Sequence, residues 1–321
     1  MANSTEWASD MDYYEHPVFN PIALHVETPA YKQLYSDLLQ WLWTGATGGY
    51  VYGQARVGKS RAIQSLFGRL HTRGNIPVPT HQLTVSLRDR PTVVSIFRQL
   101  CQSADLKLTN RDVADTLSDR FTHFLADQAS QTGSRRVVLF VDEMQRLKID
   151  QLNAFAELYD KLTLIGIGLT VVFIGNDPEC WKLIEATSSD RNAHLYGRFF
   201  TQGRPFLGLT SESQVRGILT QYDTLRFPEE TGPTYTAFFL PDDVGKGWTF
   251  ASVSHELWEG FAEYRRQYKI QSWGMQYFTT TVNTLLTDYL PKFGIDRLDE
   301  DMIHQCIHVS GLIPSLVRPA R

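Results

Sequence analysis

The chain has 321 residues, 42% hydrophobic and 21% charged, which is enough for one large or two modest globular domains. Its net charge of −4 excludes nucleic-acid binding driven by overall charge, so any such contact would need a local basic stripe. The polar N-terminus is no signal peptide and no apolar run could span a bilayer, so we expect a cytoplasmic protein with no membrane partner.

The first 30 residues lack periodicity and indicate an N-terminal extension, which could wrap around a neighbouring subunit or pack on the chain's own core. From Tyr31 to Leu42 the apolar residues recur with the i, i+3, i+4, i+7 spacing of an amphipathic helix. A short run that ends in β-formers, GGYVY, follows. Three widely spaced cysteines form no metal-ligand pattern and are expected to be buried thiols, namely Cys101, Cys180 and Cys306.

The stretch GQARVGKS matches the phosphate-binding pattern G-x-x-x-x-G-K-[ST] at every fixed position. RAIQSLFGRL follows it with helical spacing of Ile63, Leu66, Phe67 and Leu70. In this setting the loop amides and the start of the helix would surround the phosphates of ATP, with Lys59 adding charge and Ser60 binding Mg²⁺. The predicted nucleotide-binding residues of the loop are Gly53, Gln54, Ala55, Arg56, Val57, Gly58, Lys59, Ser60 and Arg61.

Strand and helix patterns alternate after this loop, which predicts an α/β layered core. The helix predicted over 91–104 has Pro91 near its first position, and the helix predicted over 110–129 has Val113 and Leu117 on its apolar face. The patterns, in chain order, are THQLTVSL, the two helices, RRVVLFVDE, QLNAFAELYDKL, GLTVVFIGND, PECWKLIEA and GRPFLGL. Beyond Thr210 the pattern is helical, with an irregular stretch over 226–249.

Two carboxylates end the buried strand VVLFVDE, as in a Walker B segment. Asp142 would hold Mg²⁺ as part of the cofactor site, and Glu143 would orient and deprotonate the attacking water. The alternative is a solvated acidic pair at the end of a strand. The pair favours hydrolysis over a small-molecule kinase, whose substrate supplies the acceptor hydroxyl.

Three further polar residues are candidates for catalysis. Asn176 follows the next buried strand and could contact the water or the γ-phosphate, although asparagine also favours turns after strands for local reasons. Arg191 and Arg198 lie before the fifth strand pattern, where an arginine could reach the nucleotide of a neighbouring subunit. The alternative for both arginines is a surface ion pair.

These motifs together resemble the AAA+ ATPases and, through DEMQRLK and the strand ending in FIGND, most closely the TnsC/TniB transposition regulators. The resemblance covers roughly residues 31–290. It implies a P-loop AAA+ core with parallel sheet order 5-1-4-3-2 over 31–210 and an α-helical lid with an irregular insertion over 211–305. Residues 306–321 form a C-terminal tail that could dock a partner or pack on the lid.

The resemblance also implies roles for individual residues. Asn176 would be sensor 1 and Arg198 the preferred arginine finger, whereas Gln276 occupies the approximate place of a sensor 2 arginine and so predicts slow hydrolysis. Backbone contacts with double-stranded DNA would come from a region that could equally be a solvated loop. The predicted DNA-binding residues are Arg88, Arg90, Lys107, Thr109 and Arg111.

The function implied is that of a bacterial, ATP-dependent regulator of DNA transposition. It would form a ring or helical homo-oligomer on target DNA and link a TniQ-type target-selection protein to transposase subunits. A replicative-helicase loader shares this core and differs in its partner. A signalling or defence nucleotide switch that binds no DNA is an alternative from another class, although little chain remains for the sensor domain that such switches usually carry.

Overall fold

A computed structural model describes residues 10–20, 24, 26–87, 91–229 and 231–313, with the side chains of 10–12 left aside. The chain divides into two compact units. The α/β unit is Ala30–Phe206, and the helical unit comprises the described parts of Met1–Pro29 and Leu207–Arg321. Each unit is described by itself below.

The α/β unit alternates strands and helices as the sequence predicts. Its strands are β1 (Gly48–Gly53), β2 (Thr80–Thr84), β3 (Arg136–Asp142), β4 (Gly168–Asn176) and β5 (Gly203–Pro205). One helix, α1 (Asp10–Glu15), comes before this unit and belongs to the helical unit. The helices that follow it as far as β5 are α2 (Pro29–Thr44), α3 (Lys59–Gln64), α4 (Val93–Ser103), α5 (Ala114–Thr132), α6 (Leu152–Leu164), α7 (Trp181–Thr187) and α8 (Ala193–Phe199).

The five strands form one parallel sheet in the order β2-β3-β4-β1-β5, which confirms the predicted order 5-1-4-3-2. β3 and β4 are buried on both faces, because alternate residues point to opposite helical layers. Leu139 and Phe173 pack in a cluster with α4, α5 and α6, whereas Phe140 and Ile174 pack in a cluster with α2 and the segment after β1. The carboxyl ends of β1, β3 and β4 therefore meet at one edge of the sheet.

The helix after β1 is shorter than the sequence predicts. It ends at Gln64, and turns follow through Arg69. Gly68 has a φ of +74°, outside the helical region, so a regular helix could not run on through Leu70. Ile63, Leu66 and Leu70 are fully buried as expected. Phe67, placed on the same face by the sequence, is instead 40% exposed and stacks on Phe140.

The helix predicted from Asn110 begins at Ala114 instead. Asp112 accepts hydrogen bonds from the main-chain N–H and the hydroxyl of Thr109, at 2.8 and 2.9 Å, and so holds 109–112 in a turn. Val113 is the N-cap residue and is exposed, so its placement on the apolar face was wrong. Pro91 lies one residue before the N-cap of α4, Thr92, rather than inside the helix.

The helical unit packs its own hydrophobic core. Its remaining helices are α9 (Glu212–Tyr222), α10 (Tyr235–Phe239), α11 (Pro241–Gly245), α12 (Ser254–Tyr268), α13 (Met275–Thr284), α14 (Leu290–Phe293) and α15 (Glu300–Val309). A π-helical turn, Leu285–Tyr289, joins α13 to α14. The three cysteines of the chain are buried free thiols, as predicted.

The stretch over 226–249 is more regular than the sequence indicates, since it contains α10 and α11. Asp223, at the end of α9, organises it. Its carboxylate accepts from the Thr236 hydroxyl at 2.7 Å and from the main-chain N–H groups of Phe250 and Ala251 at 2.8 and 3.0 Å. These contacts join segments 13 to 28 residues apart, which a local pattern does not reveal.

Val18 and Leu24, from the N-terminal segment, lie in the core of the helical unit. In the described part of the chain no helix is both long and apolar enough to cross a membrane. The predicted C-terminal tail begins inside α15, where Cys306 and Ile307 are buried, and 314–321 lie outside the described residues.

His16 is fully buried among four aromatic rings, those of Phe227, Tyr235, Phe238 and Phe239. Its Nδ1 accepts from the Val18 N–H at 3.2 Å, so the neutral ring carries its proton on Nε2. Among the described residues, Nε2 has no hydrogen-bond partner. Burial lowers the pKa of His16 from 6.5 to about 4.

We expect the helical unit to lose stability as the pH falls through the range from 6.5 to about 4. In this range His16 binds a proton in the unfolded state but not in the folded state. Between pH 7.5 and pH 5, the free energy of unfolding of the wild type should fall by about 2 kcal/mol more than that of His16→Leu. Chemical denaturation of both proteins at the two pH values measures the difference. An equal loss in the two proteins would contradict the assignment.

Candidate nucleotide site

The loop GQARVGKS connects β1 to α3 at the carboxyl edge of the sheet. Gly58, just before α3, has a φ of +103°, which is the reason for glycine there. Gly53 is required for a different reason, since a Cβ atom on it would lie 2.1 Å from the carbonyl oxygen of Phe206. Arg56 also has a positive φ, of 65°. The two glycines thus give the loop its shape and let β1 end against the backbone beyond β5.

Lys59 is buried, with only 7% of its surface exposed. Its ammonium group donates to three oxygens: the main-chain carbonyls of Gly53 and Gln54, at 2.8 and 2.7 Å, and Asn176 Oδ1 at 3.0 Å. Burial lowers the pKa of Lys59, and the negative charges of Asp142 and Glu143 act in the opposite direction. The ammonium group is therefore fixed between the ends of β1 and β4.

Asp142 is the last residue of β3 and is almost completely buried. Its Oδ2 accepts from the Ser60 hydroxyl at 2.7 Å, and its Oδ1 accepts from the Glu143 N–H at 2.9 Å. The structure thus brings together a hydroxyl and a carboxylate, far apart in the chain, next to the buried ammonium group. Mg²⁺ prefers oxygen ligands and keeps several waters, so this pair suits it.

Glu143 directly follows β3 and has a left-handed backbone, with a φ of 62°. Its Oε2 accepts from Gln145 Nε2 at 2.7 Å and forms an ion pair with Arg146 at 3.1 Å. Arg146 also donates to the main-chain carbonyl of Val85, just beyond β2, at 3.0 Å. The carboxylate therefore lies at the same edge of the sheet as Lys59 and Asp142, held by two side chains.

The two candidate arginine fingers lie apart from this cluster of contacts. Arg198, in α8, donates to Asp160 on α6 with N–O distances of 2.9 and 3.2 Å, and its guanidinium lies 5.1 Å from the ring centre of Tyr159. Arg191 is exposed in the 3-10 turn before α8. Arg198 therefore forms an ion pair within its own chain. A surface ion pair is the alternative role that the sequence analysis left open for it. Gln276 is the second residue of α13, in the helical unit.

Of the DNA candidates, Arg88 and Arg90 lie outside the described residues. Lys107, Thr109 and Arg111 are exposed on the loop between α4 and α5. The Thr109 hydroxyl is already bonded to Asp112.

Two arginines that the sequence did not single out hold this loop from the helices on either side. Arg98, on α4, donates to the Thr109 carbonyl at 3.2 Å, and Arg120, on α5, donates to the Lys107 carbonyl and pairs with Asp112 at 2.9 Å. The hydrogen bonds that the Asp112 carboxylate accepts from Arg120 hold the pKa of Asp112 well below its usual range. Arg98 and Arg120 thus fix the conformation from which Lys107 and Arg111 project.

Gln145 was also missed. It lies within DEMQRLK, but nothing in the spacing indicates that its side chain turns back toward β4. Its Oε1 accepts from the Asn176 N–H at 3.2 Å while its Nε2 donates to Glu143. Sequence reasoning placed Glu143 and Asn176 at one edge of the sheet but gave no contact between them.

Residues 44–184 match the family model described as "AAA domain". The matched segment begins before β1 and ends within α7, so it contains the loop, the Asp142–Glu143 pair and Asn176. The parallel sheet in this order, with the phosphate-binding loop after β1 and a helical region toward the C-terminus, is the P-loop AAA+ fold, which confirms the predicted fold class. This is a nucleotide-binding fold.

Among solved structures, the chain is similar to the ORC2 protein of Aeropyrum pernix, with 14% identity over 91% of this chain and 70% of that one, at a TM-score of 0.47. It is also similar to Drosophila ORC bound to DNA (14% identity, 95% and 69% covered, TM-score 0.49) and to CDC6P of Pyrobaculum aerophilum (13%, 95% and 85%, TM-score 0.44). None of the curated proteins matches the chain. Similarity at this level carries no information about activity or partners.

We expect Gly53→Ala to destabilise the α/β unit by about 1–3 kcal/mol, because its Cβ would overlap the Phe206 carbonyl and force β1 apart from the chain beyond β5. Gly197→Ala is the matched control, since Gly197 lies in α8 and a Cβ there meets nothing within 4 Å. The control should be neutral or stabilising by about 0.5–1 kcal/mol. Chemical denaturation gives both values, and equal effects would refute the packing role of Gly53.

Proposed function

We propose that this chain binds ATP with Mg²⁺ and hydrolyses it at the carboxyl edge of its sheet. The observation that carries the proposal is a pair of hydrogen bonds at this edge, from the Lys59 ammonium group to the Asn176 amide oxygen and from the Ser60 hydroxyl to the Asp142 carboxylate. Loop amides and the Lys59 charge suit the phosphates. Because α3 has only six residues, the loop amides and Lys59 contribute more than a helix dipole.

In this proposal Ser60 and Asp142 hold Mg²⁺, which when bound would neutralise charge on the β- and γ-phosphates. Glu143 orients the attacking water and accepts its proton. Lys59 keeps its charge near the phosphates, and Asn176 Oδ1 fixes the direction of that ammonium group. By the sequence resemblance, Gln276 stands at about the place of a sensor 2 arginine, which supports slow turnover.

We expect Lys59→Met to weaken ATP binding at least about tenfold, or about 1.4 kcal/mol, through loss of the charge that faces the phosphates. Glu143→Gln should keep the ATP affinity within about threefold while lowering kcat about a hundredfold or more, since it removes the base and keeps the shape. Titration with a fluorescent ATP analogue and a phosphate-release assay measure the two quantities.

The control is Lys182→Met, which removes an exposed charge on α7. Wild-type affinity in Lys59→Met, or wild-type hydrolysis in Glu143→Gln, would contradict the assignment of this site. The control should match wild type in both assays.

We further propose that the protein is an ATP-dependent regulator of DNA transposition. In this role it would oligomerise on double-stranded DNA and connect a TniQ-type target-selection protein with transposase subunits. Support comes from the sequence resemblance carried by GQARVGKS, DEMQRLK and FIGND. The exposed loop with Lys107 and Arg111 would contact DNA phosphates without reading sequence. Arg198 would act across a subunit boundary after exchanging Asp160 for a phosphate.

We expect rings or filaments that require both ATP and duplex DNA, visible by negative-stain imaging of the Glu143→Gln protein. A Lys107→Ala/Arg111→Ala variant should bind DNA more weakly for every sequence, with the salt dependence of log K reduced by about 2. Lys182→Ala is the control. ATP-dependent assembly without DNA would favour a nucleotide switch. Assembly on DNA that recruits a replicative helicase and no transposase would favour the helicase-loader alternative.

A further inference from the structure

Gln145 joins the two polar residues that end β3 and β4. Its Nε2 donates to Glu143 Oε2 at 2.7 Å, and its Oε1 accepts from the Asn176 main-chain N–H at 3.2 Å. The orientation of the amide is determined, because a main-chain N–H can only donate and a carboxylate can only accept. Asn176 in turn accepts from Lys59 through its own side chain, at 3.0 Å. A continuous set of contacts thus runs from Glu143 to the buried ammonium group.

The backbone directs Gln145 to this position. Glu143 turns the chain with its left-handed φ, and the 3-10 turn Met144–Arg146 follows. The Met144 side chain is fully buried against β4, at Gly175. A Cβ atom on Gly175 would lie 2.8 Å from Met144 Cγ and 2.6 Å from Cys180 Cβ, so only glycine leaves room for Met144. With Met144 anchored, the next side chain lies beside the end of β4.

We propose that Gln145 is a positioning residue for ATP hydrolysis, which holds the Glu143 carboxylate at a fixed distance from Asn176 and Lys59. The inference rests on the proposed hydrolytic function of the site. Among the described residues, both side-chain contacts of the carboxylate, with Gln145 and with Arg146, are made by Oε2. Oε1 is then the oxygen that accepts from the attacking water. A carboxylate free to rotate would present that oxygen in the wrong direction for much of the time.

Gln145→Glu separates the two contacts of this side chain. The introduced carboxyl group still accepts from the Asn176 N–H, but in its ionised form it repels Glu143 instead of donating to it. At pH 8 we expect kcat to fall about tenfold or more, with KM for ATP within about threefold of wild type.

Gln145→Met, which removes both contacts at similar volume, should also lower kcat. Combined with Glu143→Gln it should lower the residual rate no further, because Gln145 acts through Glu143. Gln102→Glu is the charge-matched control, an exposed residue of α4 that should behave as wild type. Thermal unfolding of each variant verifies that it is folded.

The outcomes separate this inference from the function it depends on. Wild type without ATP hydrolysis, or Glu143→Gln with full activity, would overturn the proposed function and the role of Gln145 with it. Hydrolysis that is lost in Glu143→Gln but unchanged in Gln145→Glu would overturn the role of Gln145 alone. So would a further loss of the residual rate when Gln145→Met is added to Glu143→Gln.

Discussion

Lys59 places a positive charge in an almost fully buried position, and the α/β unit is arranged to compensate it. A buried charge without partners costs several kcal/mol, so the ammonium group needs oxygens at fixed places. Two of them are carbonyls at the end of β1, and the third is Asn176 at the end of β4. That set exists only because β1 and β4 are neighbours in the sheet, with Gly53 opposite Asn176 in the register.

The same register extends the site across a third strand. β4 lies between β1 and β3, so Asp142 at the end of β3 comes within hydrogen-bond distance of Ser60, at the start of α3. Glu143 then leaves the sheet with a left-handed backbone, and the following turn brings Gln145 back to β4. Groups suited to phosphate, to a divalent cation and to a water molecule are therefore linked through side chains as well as through the sheet.

Several expectations differ from the structure for a common reason. The periodicity of RAIQSLFGRL predicts one long helix, but the helix ends at Gln64, Gly68 has a left-handed φ and Phe67 lies at the surface. Asp112 accepts a hydrogen bond from Thr109 and forms an ion pair with Arg120, and the turn that these contacts hold places the start of α5 at Ala114. Asp223 orders a stretch that is rich in proline and glycine. In each case a side chain or a single φ angle outweighs the hydrophobic pattern, which records burial but not hydrogen bonding.

The arginines show the same limit of sequence reasoning. A position before the fifth strand is compatible both with an arginine finger and with a surface ion pair, and pattern alone does not choose. The structure adds Asp160 and Tyr159 as partners of Arg198, both from α6. It likewise adds Arg98 and Arg120, which hold the loop that carries Lys107 and Arg111. Each of these partners lies on an element whose spatial neighbours are set by helix packing.

The sequence by itself determined the α/β class, the strands β1, β3 and β4, and the loop between β1 and α3. Continuous apolar runs and a glycine-lysine-serine spacing are local properties, and they leave few alternatives for a buried strand or a phosphate-binding turn. The resemblance added the sheet order. Only the tertiary structure decided which oxygens receive Lys59, that Gln145 lies between Glu143 and Asn176, and that Arg198 pairs with Asp160. These contacts join residues on different elements, and their distances follow from strand register and side-chain packing, which local spacing does not encode.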